Sequence, residues 1–93
     1  RLFKGEQKFL RFNGSGLSLT IDMPRNKEVA ALLPLLDELS LDLSSLPYII
    51  KNSHLDSKSV KQLYPEYDLF KNKLHQYDPK RLFRSELSKR LSL

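Results

Sequence analysis

Lys51 closes the apolar run Leu46-Pro47-Tyr48-Ile49-Ile50 and is followed by Asn52-Ser53. A lysine at the end of an apolar strand stands at a sheet rim, where its charge can offset negative charge developing on a cofactor or bind a phosphate. The competing reading is a strand-end lysine that simply reaches water. Ser53, His54 and Asp56 supply the residue types of a hydrolytic triad, but sequence neighbours rarely converge as a triad requires. His54 and His75 lie far apart, outside any metal-ligand spacing, and the chain has no cysteine. No metal site, disulfide or thiolate chemistry is therefore implied. Glycine-rich phosphate loops and the G-x-S-x-G elbow are also missing, and Gly14 and Gly16 are better explained by a turn.

These residues need elements to position them. Phe9 and Phe12 on one side and Leu17 to Met23 on the other bracket Asn13-Gly14-Ser15-Gly16, which predicts a β-hairpin. Alternation puts Leu17, Leu19, Ile21 and Met23 on its core face and Ser18, Thr20 and Asp22 on a face that is wet or a site. Asn26 caps a helix through about Ser40 with a stripe of Val29, Leu32, Leu33, Leu36 and Leu39, and Pro34 predicts a kink or break near Ala30 to Leu33. Leu46 to Lys51 reads as a short strand covered on both faces. Asp56 or Ser57 caps a short helix holding Val60, Leu63 and Tyr64, with Pro65 as a first helical residue. Tyr67, Phe70, Leu74 and Tyr77 make a helical stripe whose aromatics read as core. Asp78-Pro79 stops that helix. Ser85 caps a last one, with Leu87 and Leu91 on one side, and such a tail must dock onto something apolar.

The order of elements gives an α+β protein with an antiparallel or mixed β-sheet and helices on one face. An exposed edge on the first strand would normally pair, which suggests further sequence before it. Ninety-three residues bury only about 60 to 65 per cent of their unfolded surface, too few for a complete cofactor enzyme. The chain opens at Arg1 with neither an initiator methionine nor a targeting pattern, and is expected to be a piece of a longer protein. No apolar run approaches the roughly 20 residues of a membrane span.

Of the formal net charge of +5, residues 1–12 carry four cations against one carboxylate and residues 71–93 seven against two, while residues 13–70 carry five against eight. Basic ends suit nucleic acid, an anionic membrane, a phosphorylated ligand or an acidic protein surface.

A set of blocks narrows this choice. Gly16, Asp22 and Pro24 form G-x-x-x-x-x-D-x-P, Tyr48 and Lys51 lie in Leu46-Pro47-Tyr48-Ile49-Ile50-Lys51, Tyr64-Pro65 follows, and Asp78 to Leu91 reads D-P-x-x-x-F-x-S-x-[LM]-x-x-R-L. With these spacings, Gly16 to Leu91 resembles the carboxy-terminal part of FAD-linked oxidoreductases of the vanillyl-alcohol-oxidase type, closest to their decaprenylphosphoryl-ribose oxidase branch. The resemblance implies residues 1–64 as the end of a substrate-binding (cap) domain and residues 65–93 as a helical tail packing on an amino-terminal FAD-binding domain of the same protein. It implies FAD, bound mainly by that domain, and hydride transfer from an alcohol, sugar or sugar-lipid to flavin N5. The lysine matching Lys51 lies beside flavin and substrate, with catalytic and cofactor-binding roles, and Tyr48 matches a tyrosine of the pocket wall. Ser18 and Thr20 fall where the family presents an asparagine and sometimes a cysteine to the substrate, so the family's named substrate does not carry over. The segment alone is expected to be inactive. A cytoplasmic location is expected, with membrane association through a lipid substrate left open. The alternative is a small basic nucleic-acid-binding domain using Lys80, Arg81, Arg84, Lys89 and Arg90 on phosphates, or a protein-interaction domain; no nucleic-acid module motif supports the former.

Overall fold

A computed structural model describes residues 1–93. Two short strands, β1 (Leu2–Phe3) and β2 (Gly16–Leu17), precede four helices, α1 (Lys27–Asp42), α2 (Ser57–Leu63), α3 (Tyr67–Tyr77) and α4 (Glu86–Arg90). The strands form a two-stranded antiparallel sheet with Leu2 opposite Leu17 and Phe3 opposite Gly16. The class is α+β.

The sheet pairs different residues from those expected. Phe9 takes φ +53, a left-handed conformation that ends any extended run. Its N–H donates to the Glu66 carboxylate at 2.6 Å and its ring meets Phe70 at 5.8 Å. Phe9 is thereby tied to α3 and its cap, and β2 pairs with the more distant Leu2–Phe3. Residues 19–23 continue outside the sheet, with Leu19 and Ile21 exposed.

Leu46 to Lys51 is a turn rather than a strand. The Tyr48 carbonyl accepts from the N–H groups of Lys51 and Asn52 at 3.0 and 2.9 Å. A strand here would need a neighbour's donors; side chains supply them instead, with the Tyr64 hydroxyl donating to the Pro47 carbonyl at 2.6 Å and Arg90 to that of Ile49 at 3.0 Å.

The helix caps are those read from the sequence. Asn26, Asp56 and Ser85 each accept a backbone N–H three residues on, satisfying an orphan donor of the first turn. Pro34 does not break α1, which runs unbroken from Lys27 to Asp42. Pro34 and Ala30 are both exposed, so water can solvate the Ala30 carbonyl that the proline leaves without a donor. Pro65 lies one residue before the Glu66 cap of α3 rather than inside the helix. The ends of α1 and α4 repeat one device: Ser44 and Ser92 adopt left-handed φ of +49 and +55, and the following residues donate back to Ser40 and Ser88. These are Schellman closures with serine where glycine is usual.

Ile49, Leu55, Val60, Leu63, Tyr64, Tyr67, Leu91 and Leu93 form the core. It lies among α2, α3, the turn after Pro47 and the tail, and includes no strand residue and no fully buried residue of α1. The helices thus pack mainly on one another instead of as a layer on a sheet. The tail docks on this same core: Leu91 is buried, and its carbonyl accepts from the Tyr67 hydroxyl at 2.5 Å. Tyr77, by contrast, leaves its stripe for solvent because α3 ends there against Asp78.

Candidate functional site

Two open grooves flank the segment that leaves α1. The first, about 490 Å³, lies between the sheet and residues Leu43 to Leu46, with Phe3, Phe12, Asn13 and Ser18 on its other wall. The second, about 700 Å³, runs from Leu41 and Asp42 across to Gln7, Gln62, Leu63 and Pro65. Ser44 and Leu46 line both grooves.

In the first groove, aromatic packing fixes one wall. Phe12 meets Phe3 edge-on at 6.0 Å and stacks on the Tyr48 ring at 5.2 Å with 25° between planes. Such contacts contribute about 0.5–1.5 kcal/mol beyond the area they bury. Tyr48 is held in turn through its neighbour, because Tyr64 donates to the Pro47 carbonyl. Burial pushes the Tyr64 hydroxyl up to about 12, so it remains a donor throughout the neutral range. Ser18 sits on the same groove with its main chain pinned: its N–H donates to the Arg1 carbonyl at 2.7 Å and its carbonyl accepts from the Arg1 amino group at 2.8 Å.

The four residues singled out in the sequence are not brought into one site. Ser18 lines the first groove, whereas Tyr48 stacks behind it on Phe12 and lines neither groove. Thr20 is exposed beyond the end of β2, and Lys51 is exposed in the 48–52 turn; neither lines a groove. Lys51 makes no ion pair, a state it shares with every lysine except Lys61, which meets Asp68 at 3.0 Å, and Lys89, which meets Glu86 at 2.7 Å. Its amine is thus a cation without a partner on this chain, and a donor for any anionic group brought to the turn.

Sequence reasoning missed the group that holds this turn. Arg90 Nη1 donates to the carbonyls of Asn52 and Leu55 at 2.7 and 2.9 Å, and Nη2 to that of Ile49 at 3.0 Å. A usable signal existed: Arg90 lies three residues after Leu87 and beside Leu91, on the docking side of α4. His54 Nε2 lies 2.9 Å from Asp37 Oδ1, linking the turn to α1. At the start of the tail, the Asp78 carboxylate accepts from the N–H groups of Leu82 and Phe83 at 2.8 and 3.0 Å. Those bonds, that of Phe83 foremost, hold its carboxyl below the usual range.

No group of three or more His, Cys, Asp or Glu side chains could hold a metal ion, and no helix is long and apolar enough to cross a membrane. Chemically, the chain offers an aromatic-walled groove with a hydroxyl and, on a neighbouring turn, an unengaged amine. No protein-family model matches the chain, and no curated protein or solved structure does either.

Proposed function

We propose that the chain is a working part of an FAD-dependent oxidoreductase. Residues 1–64 supply the end of its substrate-binding domain and residues 65–93 its closing tail, while another domain of the same protein holds most of the FAD. The substrate class is an alcohol, including a sugar or sugar-lipid. The motif blocks from Gly16 to Leu91 point to the flavin, and the uncovered surface of the chain supports a larger body around it.

That surface is the main physical support. A compact monomer of 10.9 kDa exposes about 5,600 Å², whereas this chain exposes 7426 Å². The excess, about 1,800 Å², is of the order that a standard protein–protein contact hides on its two sides together. Much of it is apolar and patterned: Leu17, Leu19 and Ile21 are 87, 84 and 57 per cent exposed, alternating with Ser18 and Thr20.

Lys51 suits the rim of a flavin. Lys51 has no carboxylate partner, and a fixed cation favours a ring system that becomes anionic on reduction. Bound FAD would supply the hydride acceptor and Lys51 a cation beside it, with Ser18 and Tyr48 toward the substrate; Lys51 and Thr20 line no groove of this chain, so the other domain would have to complete the site around them. The nucleic-acid reading is weakened because Arg90, Lys89 and Arg81 already engage groups of this chain, which leaves Lys80 and Arg84 of the five proposed phosphate contacts.

Antibodies against α3 residues would isolate the native polypeptide from its cells. The expected result is flavin in stoichiometric amount, bleached by an alcohol in the absence of oxygen. A polypeptide without flavin overturns the proposal.

A further inference from the structure

We infer that Arg90 is a positioning residue that sets the turn bearing Tyr48 and Lys51, and that it acts on the reaction through Lys51; the second half rests on the flavoenzyme reading above. Three carbonyls of a seven-residue stretch, Ile49, Asn52 and Leu55, converge on one guanidinium at 2.7 to 3.0 Å. Such convergence requires the chain to reverse around it. Lys51 lies between two of the three acceptors, so the direction in which its side chain leaves the backbone is fixed by where Arg90 holds Ile49 and Asn52. Inside the reversal the Tyr48 carbonyl takes the Lys51 and Asn52 N–H groups. On its far side Tyr64 takes the Pro47 carbonyl.

The anchor itself is fixed. The carbonyl of Leu91, next to Arg90, accepts from the Tyr67 hydroxyl, and the Leu91 side chain is fully buried. Arg90 is therefore presented from a docked surface rather than from a fraying helix end. Only arginine meets the demand: its planar fork directs several donors at once and keeps its charge at every relevant pH, whereas a lysine amine is a point donor on a flexible stem. The tail thus sets the geometry of a turn 35 to 41 residues earlier in the chain.

Arg90→Lys and Arg90→Met test this in two settings. In the chain itself, amide hydrogen exchange at Lys51 and Asn52 should accelerate about tenfold or more in both variants, with α3 amides unchanged, as the loss of charge-assisted bonds to one local turn requires. Unchanged exchange at Lys51 and Asn52 overturns the proposal. A uniform rise that includes α3 also overturns it, since Arg90 would then be a general stability residue. In the native flavin-holding protein, Arg90→Lys should slow flavin reduction about tenfold, and should have no further effect once Lys51→Met is present. Fully additive losses in that double-mutant cycle overturn the route through Lys51. A native polypeptide without flavin would instead sink the flavoenzyme reading, and the exchange experiment would still decide whether Arg90 sets the turn.

Discussion

Lys51 is exposed, makes no ion pair and buries nothing, so its replacement tests chemistry almost without touching the fold. On the proposed flavoenzyme reading, Lys51→Met in the native protein should slow flavin reduction on the order of tenfold to a hundredfold, the range for loss of one preorganised charge near a developing anion. Thermal unfolding should shift by no more than about 0.5 kcal/mol, as for a surface change. Unaltered reduction kinetics would remove the proposed role. Asp78 is the opposite kind of residue: it holds structure and titrates. Its carboxylate binds the Phe83 and Leu82 N–H groups, with help from the Arg81 and Arg84 charges, so its folded pKa lies below the ordinary 3.8. The stabilisation is then fully present above that ordinary value and disappears as pH falls through the depressed one. Asp56, lowered chiefly by its bond to the Ser59 N–H, loses its contribution in the same acid window. Asp78→Asn should therefore flatten the fall of the urea midpoint below about pH 4, and Asp56→Asn with it should flatten it further. An acid slope identical to that of the unaltered chain would show that these bonds do not couple to folding. At this scale the sequence was a good guide to Asp56 and Ser85, because a cap is a local bargain between a side chain and a backbone three residues away. It placed Arg90 on the docking side of α4 but could not name its acceptors, which are backbone carbonyls 35 to 41 residues off and carry no side-chain signal.

Elements were legible to the extent that their hydrogen bonds are internal. The four helices satisfy their own backbones, and periodicity with caps located each of them within a few residues. The strands do not, since a ladder needs a neighbour. The alternation of Leu17 to Met23 predicted a strand with a buried leucine face, but the strand ends at Leu17 and Leu17, Leu19 and Ile21 are exposed, because a left-handed Phe9 took the expected partner away. Leu46 to Ile50 failed for a related reason: a short apolar run has no periodicity of its own, and side-chain donors can quench its carbonyls as well as a strand can. Pro34 does not break α1, because its cost falls on a solvated face. The closure of α1 yields a prediction at this scale. Ser44 sits at φ +49, where a β-carbon crowds the backbone and glycine does not. Ser44→Gly should stabilise the chain by about 1 kcal/mol, since glycine keeps the Schellman closure without the β-carbon. Denaturant midpoints read this directly, and a destabilised variant would mean that the Ser44 hydroxyl or a different local conformation matters more. Because Ser44 lines both grooves, the same change tests whether that ridge is fixed by the backbone alone.

For the whole molecule, the balance between core and surface decides what the chain can do by itself. Eight apolar side chains form its core, and the Cα radius of gyration is 14.4 Å against about 12 Å for a compact domain of this length. The helices, the turn and the tail close on that core, whereas β2, the segment after it and the outer leucines of α1 remain uncovered. A body of this kind can present an amine and an aromatic wall, but it has no means of enclosing a dinucleotide. Its grooves are open, and it contains no glycine-rich loop to bring backbone N–H groups to a pyrophosphate. An isolated flavin ring stacked on an open wall would gain too little contact to offset the freedom lost on binding. The isolated chain should therefore show no saturable binding of FAD up to micromolar concentrations, followed by quenching of flavin fluorescence, while on the proposed reading the native protein should carry FAD through gel filtration. Saturation at micromolar FAD or below would place the cofactor's main holding site on these ninety-three residues, and the division of labour between this chain and a separate FAD-binding domain would have to be abandoned.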